Sequence, residues 1–191
     1  MKGNKNTQGF ETKAIHAGQE PDPTTGAIMT PISVSSTYVQ ESPGIHKGYD
    51  YSRSINPTRK ALEACIAELE DGIAGFAFSS GMAATSTILE ILNTGDHVIA
   101  MDDLYGGSYR LFENVRKRSA GLEFSFTDLS DLTNLEAALQ PNTKMIWVDS
   151  PTNPLLKIVD LKAVSEFAKE HGIIAVCDNT FCSPYVQKPL D

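Results

Sequence analysis

Ser80-Gly81-Met82 is a segment whose residue types and position could do chemistry, because it stands between an apolar run and a helical pattern. The first backbone N–H groups of a helix have no acceptor within the helix, and the helix dipole is positive at that end. A phosphate group fits this position, and Ser80 could add a hydroxyl donor. A plain N-cap role for Ser80 is the alternative. The segment is neither a Walker motif nor G-x-G-x-x-G, so spacing alone leaves both interpretations open.

Asp178 is a second candidate, since it directly follows the apolar run 173–177 and precedes Asn179 and Thr180. A carboxylate at a strand end could keep a pyridine nitrogen protonated and so strengthen an organic cofactor as an electron sink. A solvated strand-end aspartate or a helix cap is the simpler alternative when the residue is taken alone.

Tyr105 and Asn153 occupy loops that also follow apolar runs. Tyr105 is flanked by Gly106, and its flat ring could stack on a heteroaromatic ring or simply pack. Asn153 lies between Pro151 and Pro154, which stiffen its loop, so its amide could contact a ring hydroxyl or a substrate carboxylate. A structural Asx-turn is the alternative for Asn153.

Tyr51 and Arg53 belong to a different part of the chain, rich in turn residues. The guanidinium of Arg53 could grip a phosphate with two hydrogen bonds. If this part projects away from its own core, we expect that phosphate to belong to a neighbouring subunit. A surface arginine beside an aromatic anchor is the alternative.

The elements that position these residues follow from hydrophobic periodicity. Residues 1–57 lack sustained periodicity and predict an extended arm, followed by a domain over residues 58–191. Thr58 is predicted to cap a helix with Leu62, Ile66 and Leu69 on one face, ending near residues 71–72. Apolar runs at 73–78, 97–101, 122–126, 144–148 and 173–177 then alternate with helical stretches around 82–92, 107–118, 131–139 and 160–171. The pattern predicts an α/β fold with a mainly parallel sheet covered by helices.

Composition excludes several classes of function. The 191 residues are 41% hydrophobic and 21% charged, as in a globular protein, and the net charge of −8 disfavours a nucleic-acid partner. No apolar run approaches the length of a membrane span, and residues 1–12 are too polar for a signal peptide, so we expect a cytoplasmic protein without membrane contact. The cysteines and histidines lack metal-ligand spacing, and no metal site is predicted.

Taken together, these segments resemble the Cys/Met-metabolism family of pyridoxal-phosphate enzymes, of aspartate-aminotransferase-like fold (fold type I), over essentially the whole chain. The order and spacing of short motifs carry the resemblance. They are Thr25-Gly26-Ala27, Ser36-Thr37-Tyr38, residues 51–59, residues 78–84, residues 103–107, residues 150–154 and Asp178-Asn179-Thr180.

The resemblance implies a role for each candidate. The amides of Gly81 and Met82, with Ser80, would bind the phosphate of pyridoxal 5'-phosphate, Tyr105 would stack on its ring, and Asp178, beside Thr180, would pair with its pyridinium nitrogen. Asn153 would lie by the phenolic oxygen and the substrate carboxylate.

The resemblance also implies an assembly. Tyr51 and Arg53 would reach the phosphate of an adjacent subunit within a homotetramer built from catalytic dimers. Tyr105 and the neighbour's Tyr51 would be the catalytic phenols that handle protons.

The activity implied is cleavage or formation of cystathionine in transsulfuration, with a small amino acid as substrate. Cystathionine γ-lyase or γ-synthase fits best, and cystathionine β-lyase or methionine γ-lyase is the alternative. Gly107 stands where methionine γ-lyases tend to carry cysteine, which lowers that alternative. A non-catalytic half-chain is the alternative of another class.

Two departures from the family pattern stand out. Asp149 replaces the glutamate that many members have before the Pro-Thr-Asn-Pro loop. The Schiff-base lysine and the substrate-carboxylate arginine of the family are expected beyond Asp191. Lys157 and Lys188 do not stand in the sequence context of that lysine.

Overall fold

The computed structural model describes residues 8–191, so the first seven residues of the predicted arm and most of the polar N-terminal segment lie outside the described residues. Two compact units are formed. One extends to Ala77 and includes Leu190–Asp191, and the other comprises Phe78–Pro189. The described part of the predicted arm falls in the first unit, together with the helix that follows it.

The first unit contains helix α1 (Phe10–His16) and helix α2 (Pro57–Leu69). The predicted N-cap of α2 was wrong, because Asn56 and not Thr58 caps this helix. The Asn56 side chain accepts hydrogen bonds from the backbone N–H groups of Thr58 (2.9 Å) and Arg59 (3.3 Å). Pro57 suits the first helical position because its ring fixes φ and it needs no hydrogen-bond acceptor there.

On the predicted apolar face of α2, Leu62 and Ile66 are 55% and 44% exposed and Leu69 is buried. The predicted strand over residues 73–78 was wrong, because this run forms no strand, and Ile73 and Phe76 are largely exposed. A strand requires a neighbour to accept and donate its backbone hydrogen bonds, and the described residues supply none for this run.

The second unit alternates helices and parallel strands. In chain order these are α3 (Gly81–Ile88) with a 3-10 turn (Leu89–Ile91), β1 (His97–Met101), α4 (Gly106–Arg110) continuing through a π-helical segment (Leu111–Arg116) into α5 (Lys117–Ser119), β2 (Glu123–Thr127), α6 (Leu132–Ala138), β3 (Thr143–Asp149), α7 (Leu161–His171) and β4 (Ile174–Asp178). Four of the five predicted strands and all four predicted helical stretches of this unit are confirmed.

The four strands form one sheet in the order β2-β1-β3-β4, and every neighbouring pair is parallel. The strand order places β1 and β3 at the centre, where β1 is buried throughout and β3 is buried except at Lys144. Strands buried on both faces are typical of a parallel sheet that helices cover. The predicted α/β class is therefore confirmed.

Aromatic rings anchor the helical segment after β1 to the sheet. Phe112, fully buried, stacks on Phe124 of β2 at 5.1 Å and meets Trp147 of β3 edge-on at 5.4 Å. These contacts hold the helical segment that follows α4 against the sheet. Between residues 8 and 191, no helix combines the length and hydrophobicity needed to cross a membrane.

Candidate active site

The carboxyl ends of parallel strands lie at one edge of a sheet, where ligands of α/β proteins bind. At this edge the loops after β1, β3 and β4 meet the first turn of α3 around a cavity of about 340 Å³. The cavity is lined by Ser80, Gly81, Met82, Thr85, Tyr105, Ser108, Asp149, Pro151, Asn153, Asp178, Thr180 and Phe181. All the predicted site residues of the second unit therefore line the same cavity.

The first turn of α3 presents unpaired backbone donors to this cavity. The Ser80 side chain accepts from the N–H of Ala83 at 3.1 Å, and the Ser80 carbonyl accepts from Ala83 and Ala84. Within residues 8–191, the N–H groups of Gly81 and Met82 have no acceptor. A side chain at Gly81 would point into open space, so a ligand has room to approach the backbone there. Ser80 thus acts as the N-cap while two amides and the helix dipole remain available to an anion.

Asp178 ends β4 opposite Asp149 of β3 in the strand register. One carboxylate oxygen, Oδ1, accepts hydrogen bonds from the backbone N–H of Thr180 (3.1 Å) and from the Thr180 hydroxyl. The other, Oδ2, has no hydrogen-bond partner among the described residues. Thr180 therefore orients the Asp178 carboxylate and leaves one oxygen available to a cavity ligand.

Tyr105 precedes α4, and its ring is 48% exposed at the cavity. The ring lies against Gly107, where an added Cβ would stand 2.4 Å from Tyr105 Cε1 and 3.1 Å from Met82 Sδ. The Tyr105 ring can therefore occupy this position because Gly107 has no side chain. A half-exposed aromatic ring beside an anion site can stack on a flat ligand.

The Asn153 loop is held by hydrogen bonds to buried groups. Asp103 Oδ2 accepts from the Thr152 hydroxyl at 2.5 Å and from the backbone N–H of Leu155 at 2.9 Å. Thr152 Oγ1 in turn accepts from the backbone N–H of Lys157 at 2.8 Å. Because Asp103 follows β1 and Thr152 follows β3, these bonds connect the two loops beside Asn153.

Asp149 is one of the cavity residues to which the sequence assigned no role. It is 4% exposed, its Oδ2 accepts from the backbone N–H of Tyr105 (3.2 Å), and its Oδ1 accepts from Trp147 Nε1 (3.1 Å). Burial raises the pKa of Asp149 to about 6, and the negative charges of Asp178 and Asp103 act in the same direction, against the two hydrogen bonds. Its position at a strand end beside the Asn153 loop was the available signal.

Sequence reasoning also missed Thr85, Ser108 and Phe181. Thr85 lies one helical turn after Gly81, and its hydroxyl donates to the Gly81 carbonyl at 3.0 Å. The i, i+4 spacing from Gly81 could have indicated Thr85, since such residues share one helix face.

Tyr51 and Arg53 belong to the first unit. The Arg53 guanidinium carbon lies 5.0 Å from the centroid of the Tyr51 ring, which is 38% exposed. The two side chains thus form one aromatic and cationic surface, and their predicted role at a phosphate remains a prediction.

Lys157 is occupied by ion pairs. Its Nζ lies 3.1 Å from Asp102 Oδ1 and 2.7 Å from Asp128 Oδ2, and the hydrogen bond to Asp128 raises the pKa of Lys157. It ties together the loops that follow three strands, and it does not line the cavity.

Comparisons of the sequence and of the structure with known proteins identify the same group of relatives. The family model for Cys/Met metabolism PLP-dependent enzymes matches residues 11–191. A cystathionine β-lyase of Coxiella burnetii is 63% identical over 100% of this chain and 50% of its own length, and a probable cystathionine γ-synthase of Herpetosiphon aurantiacus is 50% identical over 95% and 57%. The crystal structure of cystathionine γ-lyase from Lactobacillus plantarum complexed with L-serine superimposes with a TM-score of 0.93 at 49% identity, covering 96% of this chain and 48% of that one.

The chain spans about half the length of the curated relatives it matches. The match nevertheless includes every strand, loop and helix end that forms the cavity. The chain belongs to the family of Cys/Met metabolism PLP-dependent enzymes.

Proposed function

We propose that this chain is the N-terminal half of a pyridoxal-phosphate enzyme of transsulfuration that cleaves or forms cystathionine. The observation that carries the proposal is the single cavity in which the unpaired amides of α3, the Tyr105 ring and the Asp178 carboxylate converge. Its volume of about 340 Å³ suits a small-molecule ligand.

The groups in the cavity match the chemical parts of pyridoxal 5'-phosphate. The amides of Gly81 and Met82 would bind the phosphate, with the Ser80 hydroxyl proton as a further donor. The Tyr105 ring would cover one face of the pyridine ring. The unpaired Oδ2 of Asp178 would accept a hydrogen bond from the protonated pyridine nitrogen.

When bound, pyridoxal phosphate supplies an electron sink for negative charge developing on the amino-acid substrate. Asp178 supports that role because a carboxylate held by Thr180 keeps a proton on the ring nitrogen. Asn153, in a loop that Asp103 and Thr152 hold in place, would contact the phenolic oxygen and the substrate carboxylate.

Proton transfer near the leaving group is assigned to phenols. Tyr105 lies at the cavity and would act there as a catalytic acid or base. Tyr51, with Arg53 beside it, would serve the cavity of a neighbouring subunit, Arg53 binding the phosphate. This requires a homotetramer built from catalytic dimers, and we place that assembly in the cytoplasm.

Two reactions are candidates, and they differ in which carbon–sulfur bond is cleaved or formed. The segments around Ser42-Pro43-Gly44 and residues 102–110 resemble those of cystathionine γ-lyases and γ-synthases, and this resemblance supports the first candidate. The 63% identity to a protein named cystathionine β-lyase, against 50% to a probable γ-synthase, favours β-cleavage as the second candidate. Methionine γ-lyase is less favoured, because Gly107 stands where the resemblance would lead us to expect a cysteine in that enzyme.

A product assay on cystathionine tests the proposal in a protein that carries this chain together with the remaining family length. Cleavage at Cγ, with addition of water, yields cysteine, 2-oxobutanoate and ammonia, whereas cleavage at Cβ yields homocysteine, pyruvate and ammonia. The proposed activity would be refuted if neither set of products formed and if no cystathionine were made from cysteine and an activated homoserine. The same assay on the 191-residue chain tests the alternative of a non-catalytic half-chain.

A further inference from the structure

Asp149 is a buried carboxylate whose two oxygens hold two different parts of the site. Oδ2 accepts from the backbone N–H of Tyr105 at 3.2 Å, and Oδ1 accepts from the indole N–H of Trp147 at 3.1 Å. Tyr105 lies in the loop after β1, whereas Trp147 and Asp149 belong to β3. The carboxylate therefore connects the loop that carries the cavity's aromatic ring to the neighbouring central strand.

We propose that Asp149 is a positioning residue whose carboxylate fastens the backbone of Tyr105 to β3, and that the position of the Tyr105 ring depends on the ionisation of this carboxylate. This inference rests on the proposed function only for the identity of the ligand. The hydrogen bonds from Tyr105 and Trp147 to Asp149, called the clamp below, lie within this chain and do not depend on the ligand.

The geometry explains why the backbone bond controls the ring. Tyr105 has no side-chain cap contact at the start of α4, and its ring is half exposed. The ring is confined on one side by Gly107 and Met82. The N–H bond to Asp149 therefore holds the backbone from which the Tyr105 ring projects, and losing it would let the ring shift with the loop.

Ionisation matters because a hydrogen bond to a carboxylate is about twice as strong as one to a neutral acceptor. The charged groups that act on Asp149 are the carboxylates of Asp178, on β4, and Asp103, in the loop after β1. Both are negative, so they favour a proton on Asp149, as burial does. Because the pKa of Asp149 is raised to about 6, the carboxylate gains a proton just below neutral pH, and its hydrogen bond to the Tyr105 N–H becomes weaker there.

Nuclear magnetic resonance of the 15N-labelled 191-residue chain tests the clamp without any cofactor. The backbone amide of Tyr105 and the indole N–H of Trp147, the only tryptophan of the chain, should shift together with a midpoint of about pH 6. Asp149→Asn, which mimics the protonated acid in shape and charge, should abolish both titrations. Asp149→Glu, which keeps a carboxylate, should restore them.

Asp103→Asn is the matched control, because Asp103 is also a buried carboxylate at this edge but bonds to Thr152 and Leu155. It should leave both titrations present, with a midpoint somewhat below that of the wild type, because one of the negative charges that raise the pKa of Asp149 is removed. A Tyr105 amide that does not titrate with the indole, or titrations that survive Asp149→Asn, would overturn the proposal. Circular dichroism establishes that each variant is folded.

Binding of pyridoxal phosphate then measures the consequence for the ring. At pH 8 the wild-type chain should bind about fivefold more tightly than Asp149→Asn, and at pH 5 the two should agree within about twofold. The ratio cancels the titration of the ligand's own phosphate. A ratio that does not change with pH would overturn the positioning role. If neither chain binds the ligand, the amide titration still decides whether the clamp exists, and the product assay on the protein of full family length separately decides the proposed function.

Discussion

Gly107→Ala tests whether the Tyr105 ring is the cofactor's stacking partner. The new methyl group would stand 2.4 Å from Tyr105 Cε1 and 3.1 Å from Met82 Sδ, far inside normal contact distances. Because the ring is 48% exposed, it can relieve the clash by turning towards solvent. We therefore expect a change of ring position with little loss of stability.

The expected magnitude follows from the stacking energy. An aromatic pair contributes about 0.5–1.5 kcal/mol beyond its area burial. Losing it should raise the dissociation constant of pyridoxal phosphate by about twofold to twelvefold, because 1.4 kcal/mol corresponds to a factor of ten. Equilibrium dialysis at several ligand concentrations, with a thermal melt of each protein, measures both quantities.

Gly106→Ala is the matched control. Gly106 opens the same helix, but an added Cβ there meets only the flexible end of Arg110, at 3.3 Å. Both substitutions change helix propensity alike, and only the one at Gly107 displaces the ring. Equal affinity in wild type, Gly106→Ala and Gly107→Ala would refute the assignment of Tyr105 as the stacking residue.

Three further predictions concern the site and the fold. Asp178→Asn, in a protein of full family length, should still bind pyridoxal phosphate but lose roughly a hundredfold or more in turnover, because a neutral amide cannot keep the ring nitrogen protonated; turnover near the wild-type value would contradict this. Arg53→Ala should weaken cofactor retention during gel filtration while circular dichroism is unchanged, and full retention would remove Arg53 from the phosphate site. His97, 1% exposed and hydrogen-bonded to Thr143 and Ser125, has its pKa lowered below 6.5 by burial, although Glu123 opposes this. The unfolded chain therefore binds the proton more tightly, so stability should fall as pH drops below 6.5. Urea titrations should show a flatter pH dependence in His97→Gln, and an unchanged dependence would rule out this residue.

Much of the architecture could be predicted from the sequence, because it depends on local patterns. The runs 97–101, 122–126, 144–148 and 173–177 are mainly apolar and alternate with amphipathic helices, which is sufficient to predict a parallel sheet. Parallel strands place their carboxyl ends at one edge, so Tyr105, Asn153 and Asp178 were expected together. The family motifs supplied the chemical roles that the isolated residues left open.

Tertiary structure decided what depends on partners distant in sequence. The run 73–78 has strand-like residues but no pairing neighbour in the described chain, and α2 begins two residues earlier than predicted because Asn56 bonds to two amides beyond Pro57. The role of Asp149 depends on the Tyr105 amide 44 residues away and on burial between neighbouring carboxylates. Hydrophobic periodicity specifies which face of an element is buried, but the partner of a buried polar group is set by packing, and here packing determines the clamp on Tyr105.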